Sequence, residues 1–260
     1  MYKIDLEVEF LAYSIIFIKG LLITPTFVTG FMPFFESIFN LTTEYRLLEL
    51  SDLSNPLLKD LATKAPGTYQ HSLTVANLAE SAAQAIGANP LIARVGAYYH
   101  DIGKMVKPNY FIENQSYMQN PHDNIKPSLS NSILKAHIKH GIELAEKWKL
   151  PKPIKDIIQQ HHGKSLMIYF YNLALKSGEE VDEQDYRYMG PPPDFKESAI
   201  ISIADSIEAM TRTLKNPTPS RIEEMVNNAI KKKIIDGDLD NCELTLKELQ
   251  IISQVFIRIL

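Results

Sequence analysis

The sequence predicts an all-α protein, and three observations carry that expectation. Apolar residues recur at helical spacing along most of the chain, the helices are punctuated by Gly, Asn-Pro and capping signatures, and no convincing alternating strand series occurs. The chain has 260 residues, enough for one large core or for a compact domain with appendages.

Residues 10–35, "FLAYSIIFIKGLLITPTFVTGFMPFF", carry one charge, Lys19, and are long enough to span a bilayer. Lys19 and the prolines Pro25 and Pro33 count against a simple span, since a mid-span charge costs about 2.5–3.5 kcal/mol and Pro kinks helices. The acidic start, Asp5, Glu7 and Glu9, is unlike the basic start of a cleaved signal peptide. The first region, 1–36, is therefore expected to be an apolar, membrane-span-like segment, with membrane association through residues 10–35.

Residues 37–65 follow with Leu47, Leu48, Leu50, Leu53, Leu57, Leu58 and Leu61 at roughly helical spacing, broken near Asn55-Pro56. They read as a helical linker, more a spacer than a transmitter of motion. The core region is expected over 66–215 and a pair of C-terminal helices packing on it over 216–260.

Within the core, Thr68 is the expected cap of a helix running to about Ile86 and stopped by Gly87. The next helix is expected to start near Asn89-Pro90 and end at Gly103. Further helices are expected over 128–148, 152–162, 164–177 and 196–214. Ser220 with Glu223, and Thr245 with Glu248, have the capping-box spacing and open expected helices of about 221–234 and 246–260. Residues 105–127 and 178–195, rich in Asn, Pro, Tyr and acidic residues, read as ordered loops beside a site.

With 27 basic and 31 acidic residues and a formal net charge of −4, nothing indicates a general grip on DNA or RNA phosphates. The single cysteine, Cys242, excludes an intrachain disulfide and any thiolate metal site. A metal would need His, Asp or Glu ligands, which points to Fe, Mn, Zn, Co or Ni.

The seven histidines are distributed in a suggestive way. His71 falls in the first turn of its helix, His100-Asp101 end the next, His137 lies inside a third, and His161-His162 close a fourth. Asp205 lies in "SIADSIEAM", a segment otherwise suited to burial, where a carboxylate costs several kcal/mol unless paired or bound to a cation. Imidazoles and carboxylates together can serve two transition-metal ions, and one Asp can bridge both because it has two oxygens. Each element also has a plain structural role: His-Asp as a helix-end hydrogen-bonding pair, and "HHG" as a helix C-terminus with Gly163 as left-handed cap.

The order H…HD…H…HH…D resembles the HD-domain superfamily of metal-dependent phosphohydrolases. The strings "APGTYQHSLTVANLAE", "YYHDIGKMVKPNYFIENQ", "NPHDNIKPSLS", "IIQQHHGKSLMIYFY", "DYRYMGPPPDFKESAIISIADSIEAM" and "DGDLDNCELTLKEL" are similar to the membrane-anchored seven-transmembrane HD family of cyclic di-AMP phosphodiesterases. The resemblance runs from about Ile23 to near the C-terminus and implies an HD-domain helical bundle, here as a truncated member or fragment with only a last-span-like segment. It implies one metal at His71, His100, Asp101 and Asp205, and a second at Asp101, His137, His161 and His162, with Asp101 as bridge. Iron or manganese is the implied pair, and a bridging hydroxide the implied nucleophile that opens cyclic di-AMP to pApA. Lys104 is expected at a substrate phosphate. His122 in "NPHD" is a weaker candidate for the cleft, His140 in "HIKHG" a weak candidate ligand, and Tyr or Asn from 109–118 candidates for the adenine pockets.

The resemblance places the intact family in the cell membrane with its catalytic domain facing the cytoplasm; without insertion the chain is expected in the cytoplasm. Two other readings remain at this point: an HD phosphohydrolase acting on cyclic di-GMP or a nucleoside phosphate, and a catalytically silent cyclic-dinucleotide sensor. No GYP string, the mark of the cyclic di-GMP branch, follows the HD pair.

Overall fold

In the computed structural model, residues 2–39, 41–115, 119–177 and 181–260 are described. Tyr117, one of the 109–118 candidates, and the start of the 178–195 loop lie outside them. The chain divides into two compact units, Met1–Thr43 and Glu44–Leu260.

The first unit is one helix, α1 (Tyr2–Phe39). Its stretch Tyr13–Glu36 is long and apolar enough to cross a membrane, and Phe17, Leu22, Phe27 and Phe34 stand exposed along it. Pro25 does not break the helix. Thr26 Oγ1 donates to the Leu22 carbonyl at 2.7 Å and Thr29 Oγ1 to the Pro25 carbonyl at 2.8 Å, which satisfies backbone oxygens around the site where proline lacks its N–H.

The second unit contains α2 (Glu44–Ser51), α3 (Pro56–Lys64), α4 (Pro66–Ile86), α5 (Pro90–Tyr99), α6 (Pro127–Lys147), α7 (Lys152–Gln160), α8 (Ile168–Lys176), α9 (Lys196–Thr211), α10 (Pro219–Ile235) and α11 (Leu246–Ile259). Among the described residues the only β feature is an isolated bridge between Leu166 and Arg187. The central layer is α4 against α5 and α9, and α11 packs on α4 from outside. Ala76, Ala79, Ala82 and Ala83 on α4 and Ala93 and Ala97 on α5 are buried, and their small side chains let the helices approach closely.

The leucines of 44–65 are part of this core. Leu47, Leu50, Leu57, Leu58 and Leu61 are at most 2 % exposed and belong to the same apolar cluster as Val75, Ile157 and Phe256. Burying each such side chain contributes about 1.5–3 kcal/mol, which a bare spacer would not gain. Tyr99, fully buried, donates its hydroxyl to the Leu50 carbonyl at 3.0 Å and so ties α2 to α5.

Three local expectations need correction. α4 begins at Pro66, not after Thr68, because proline fits the first helical position; the amide of Thr68 is capped instead by Asn114 Oδ1 from a distant loop, at 3.1 Å. α10 likewise begins at Pro219 with Thr218 at its cap, so the Ser220–Glu223 box does not form, whereas the Thr245–Glu248 box does. α5 stops at Tyr99; His100 is its cap and Ile102–Val106 continues as a 3-10 turn, so Gly103 lies beyond the helix end. The 105–127 stretch, as far as it is described, is organised by further 3-10 turns at Pro108–Tyr110, Ile112–Asn114 and Pro121–Asn124.

Candidate metal centre

Gly103 explains how the His100-Asp101 turn reaches α6. A Cβ at this position would lie 1.8 Å from the His137 carbonyl oxygen and 2.5 Å from the Gly141 amide nitrogen, so only glycine lets the two backbones meet. That contact sets His137 opposite Asp101. His71 projects from the second turn of α4 rather than the expected first, because the helix already starts at Pro66; His161 caps α7, His162 follows it, and Asp205 comes from the middle of α9.

Two groups of side chains result: His71, His100, Asp101 and Asp205; and Asp101, His137, His161 and His162. Within each group one potential ligand atom per residue lies within 4.8 Å of all the others. These are the same two sets that the resemblance implies. Asp101 is shared, and its oxygens divide between them. Oδ2 lies 3.1 Å from His100 Nε2 and 3.5 Å from His71 Nε2, while Oδ1 lies 3.5 Å from His137 Nε2 and 3.6 Å from His161 Nε2. Asp205 Oδ1 lies 3.1 Å from His71 Nε2, and its Oδ2 3.6 Å from His162 Nδ1.

The hydrogen bonds on the far side of the rings decide what faces inward. The Nδ1 atoms of His100, His137 and His161 bond to the carbonyls of Ala97, Leu134 and Ile158 at 2.7, 2.5 and 2.9 Å, which places the neutral ring's proton there. Each Nε2 then presents a lone pair to a carboxylate. Burial, the largest influence, pushes the His137 imidazole down to about 3 and the His162 imidazole down as well, so these rings stay neutral. The inward atoms His71 Nε2, His100 Nε2 and Asp101 Oδ1 are buried without a hydrogen-bond partner. Acceptors facing acceptors in a dry pocket are costly unless a cation lies between them, and nitrogen–oxygen donors without thiolate suit divalent transition metals. The residues present therefore fit such ions.

Burial also opposes charge on Asp101 and Asp205, but His100 and Lys104 beside Asp101, and the surrounding imidazoles, His71 first, beside Asp205, outweigh it and hold both carboxyls well below the usual range. For Asp101 one of those groups is Lys104, whose Nζ lies 2.7 Å from Oδ2 and 2.9 Å from Glu113 Oε1. The two carboxylates overcome the burial of the ammonium and raise its pKa. Glu113 also accepts from Thr68 Oγ1 at 3.0 Å, which fastens the loop to α4 three residues before His71.

His140 and His122 lie outside both groups. His122 is buried between the rings of Tyr110 and Phe170 and bonds to the Tyr110 carbonyl at 2.8 Å. Sequence reasoning missed Glu113, Tyr188 and Glu208. Tyr188 stacks on His162 with ring centroids 4.2 Å apart. Glu208 binds His71 Nδ1 at 2.5 Å. As a second carboxylate in the apolar "SIADSIEAM" helix, Glu208 was open to the same reasoning that singled out Asp205.

The HD domain family pattern matches residues 68–210. The chain is 50% identical over 227 residues to the cyclic-di-AMP phosphodiesterase PgpH of Bacillus subtilis, covering 87% of this chain and 32% of that protein. It is 48% identical to the PgpH of Listeria monocytogenes, with 88% and 32% covered. The crystal structure of the Listeria PgpH HD domain in complex with cyclic-di-AMP superposes with a TM-score of 0.77 at 48% identity, covering 79% of this chain and 96% of that one. The chain thus spans about a third of the length of these curated relatives.

Proposed function

The chain belongs to the HD domain family, and on that premise we propose that it is a metal-dependent phosphodiesterase that hydrolyses cyclic di-AMP to the linear dinucleotide pApA. The observation that supports this reading most is the division of the Asp101 carboxylate between two sets of inward-facing imidazoles. The likeness to the PgpH proteins supports the substrate.

His71, His100, Asp101 and Asp205 would hold one divalent ion and Asp101, His137, His161 and His162 the other, with iron or manganese the proposed pair. When bound, two such ions supply positive charge for the phosphate oxygens and make water a competent nucleophile near neutral pH. The protein's own part is positioning and charge. The backbone carbonyls behind His100, His137 and His161 fix their ring orientation before any substrate arrives. Lys104, held between Asp101 and Glu113, contributes a fixed ammonium where negative charge grows on the phosphate. Hydrolysis adds the elements of water across one P–O3′ bond, leaving a 5′-phosphate and a free 3′-hydroxyl. The exposed apolar helix α1 supports attachment to a membrane, and the resemblance to the seven-transmembrane HD family is what implies a cytoplasmic side for the second unit.

Turnover with product identification tests this. Purified protein with Mn(II), or with Fe(II) under anaerobic conditions, is offered cyclic di-AMP, cyclic di-GMP and ppGpp beside the Asp101→Ala variant. Cyclic di-AMP is expected to yield pApA fastest, and the variant to fall to background. Equal activity in the variant overturns the site, preference for cyclic di-GMP overturns the substrate, and tight cyclic di-AMP binding without pApA makes the protein a sensor.

A further inference from the structure

Both nitrogens of His71 meet carboxylates from one face of α9, Nδ1 in a hydrogen bond and Nε2 across the inward-facing side. Asp205 Oδ1 lies 3.1 Å from Nε2, and Glu208 Oε2 lies 2.5 Å from Nδ1. Three residues apart, Asp205 and Glu208 share a helical face. Glu208 is 6 % exposed and is itself held by Arg212, one turn further on. The Arg212 Nε donates to Glu208 Oε1 at 2.9 Å, and one terminal nitrogen reaches both carboxylate oxygens at 2.7 Å. The far nitrogens of His100, His137 and His161 meet neutral backbone carbonyls instead.

The geometry points to Glu208 as the positioning residue of His71, with Arg212 keeping the Glu208 carboxylate in place. A carboxylate on Nδ1–H holds the proton on that nitrogen, turns the Nε2 lone pair toward Asp101 and Asp205, and makes Nε2 a stronger donor than a carbonyl-bound ring would be. The two ion positions therefore differ in kind: the one that includes His71 has a charged group behind one of its ligands. This inference rests on the proposed metal reading, because it assigns Glu208 to one of the two ions alone.

Titration of the full chain with Mn(II), followed by the electron paramagnetic resonance signal of the free ion, tests it on wild type, Glu208→Gln and Glu208→Leu. Wild type is expected to bind two ions. Both variants are expected to weaken one of them about ten- to hundredfold and leave the other unchanged. Gln should lose less than Leu, because its amide oxygen still accepts from Nδ1–H. Arg212→Met is expected to weaken the same ion by a smaller factor. If Leu fails to fold, the near-isosteric Gln variant decides, with an unchanged melting temperature as its control. Two ions bound at wild-type affinity in the Gln variant, or equal weakening of both, overturns the inference alone. A wild type that binds no Mn(II) overturns the metal reading and this inference with it.

Discussion

Lys104 Nζ lies 2.7 Å from Asp101 Oδ2, so the one carboxylate shared by both imidazole sets also carries an ammonium. With His100, this pairing helps Asp101 stay ionised in a pocket whose burial alone would favour its neutral form. Lys104→Met keeps most of the unbranched side chain and removes the charge. It is expected to lower kcat by about 10²–10³-fold, the usual cost of losing one donor to a developing oxyanion. Steady-state kinetics on cyclic di-AMP checks this; a loss confined to KM would mean that Lys104 only binds substrate.

Gly103→Ala forces a Cβ to within 1.8 Å of the His137 carbonyl oxygen, a backbone atom that cannot swing aside. Overpacking of this sort costs about 1–3 kcal/mol or more. At about 2–4 °C per kcal/mol for a domain of this size, the melting temperature should fall by several degrees. Metal content should fall with it, because the displaced backbone carries His137 away from Asp101.

Removal of metal exposes a pH dependence of opposite sign on its two limbs. In the metal-free fold burial disfavours the His71 imidazolium, but Asp205 and Glu208 outweigh it and raise its pKa from an ordinary 6.5 to about 9. Because the folded value is the higher one, that stabilisation is complete below the unfolded value of 6.5 and is lost as pH rises to about 9. His137, pushed down to about 3 from 6.5, works the other way. The unfolded chain takes up a proton that the fold refuses, so stability falls as pH drops from 6.5 towards 3. Urea melts in the presence of a chelator should show a maximum near pH 6.5. A profile that only rises between pH 4 and pH 9 would contradict the His71 assignment, and one that only falls would contradict the His137 assignment.

The division at Thr43–Glu44 gives a prediction about the membrane. The full chain is expected to float with lipid vesicles, and a chain of residues 44–260 to stay in solution while keeping its helical signal and its turnover of cyclic di-AMP. Flotation of the shorter chain would mean that the second unit binds lipid by itself.

Much of this was legible in the sequence because helices leave strong marks. Gly87, Asn89-Pro90 and Thr245–Glu248 act where their local chemistry predicts. Thr68 and Ser220 misled because a proline one or two residues earlier starts each helix sooner. The seven site residues were visible as a set because their spacing resembles a family, and because Asp205 is out of place in an apolar helix. Lys104's grip on Glu113, the Asn114 cap of α4 and the stacking of Tyr188 on His162 were not legible, since each joins residues 9 to 46 positions apart through loops. Nor was the burial of Leu47 and Leu50. Periodicity shows that a helix has an apolar face, but not what that face meets.

The bond from Tyr99 to Leu50 has a mechanical meaning. It ends one residue before His100, and the helix that holds Leu50 begins at Glu44, the first residue of the second unit. No slack lies between that entry point and the His-Asp turn: the seven helical residues from Glu44 to Leu50 and one buried hydrogen bond make a short, stiff strut. A load applied where the chain enters this unit would pass along that strut to the residue beside the His-Asp turn rather than into a loose tether.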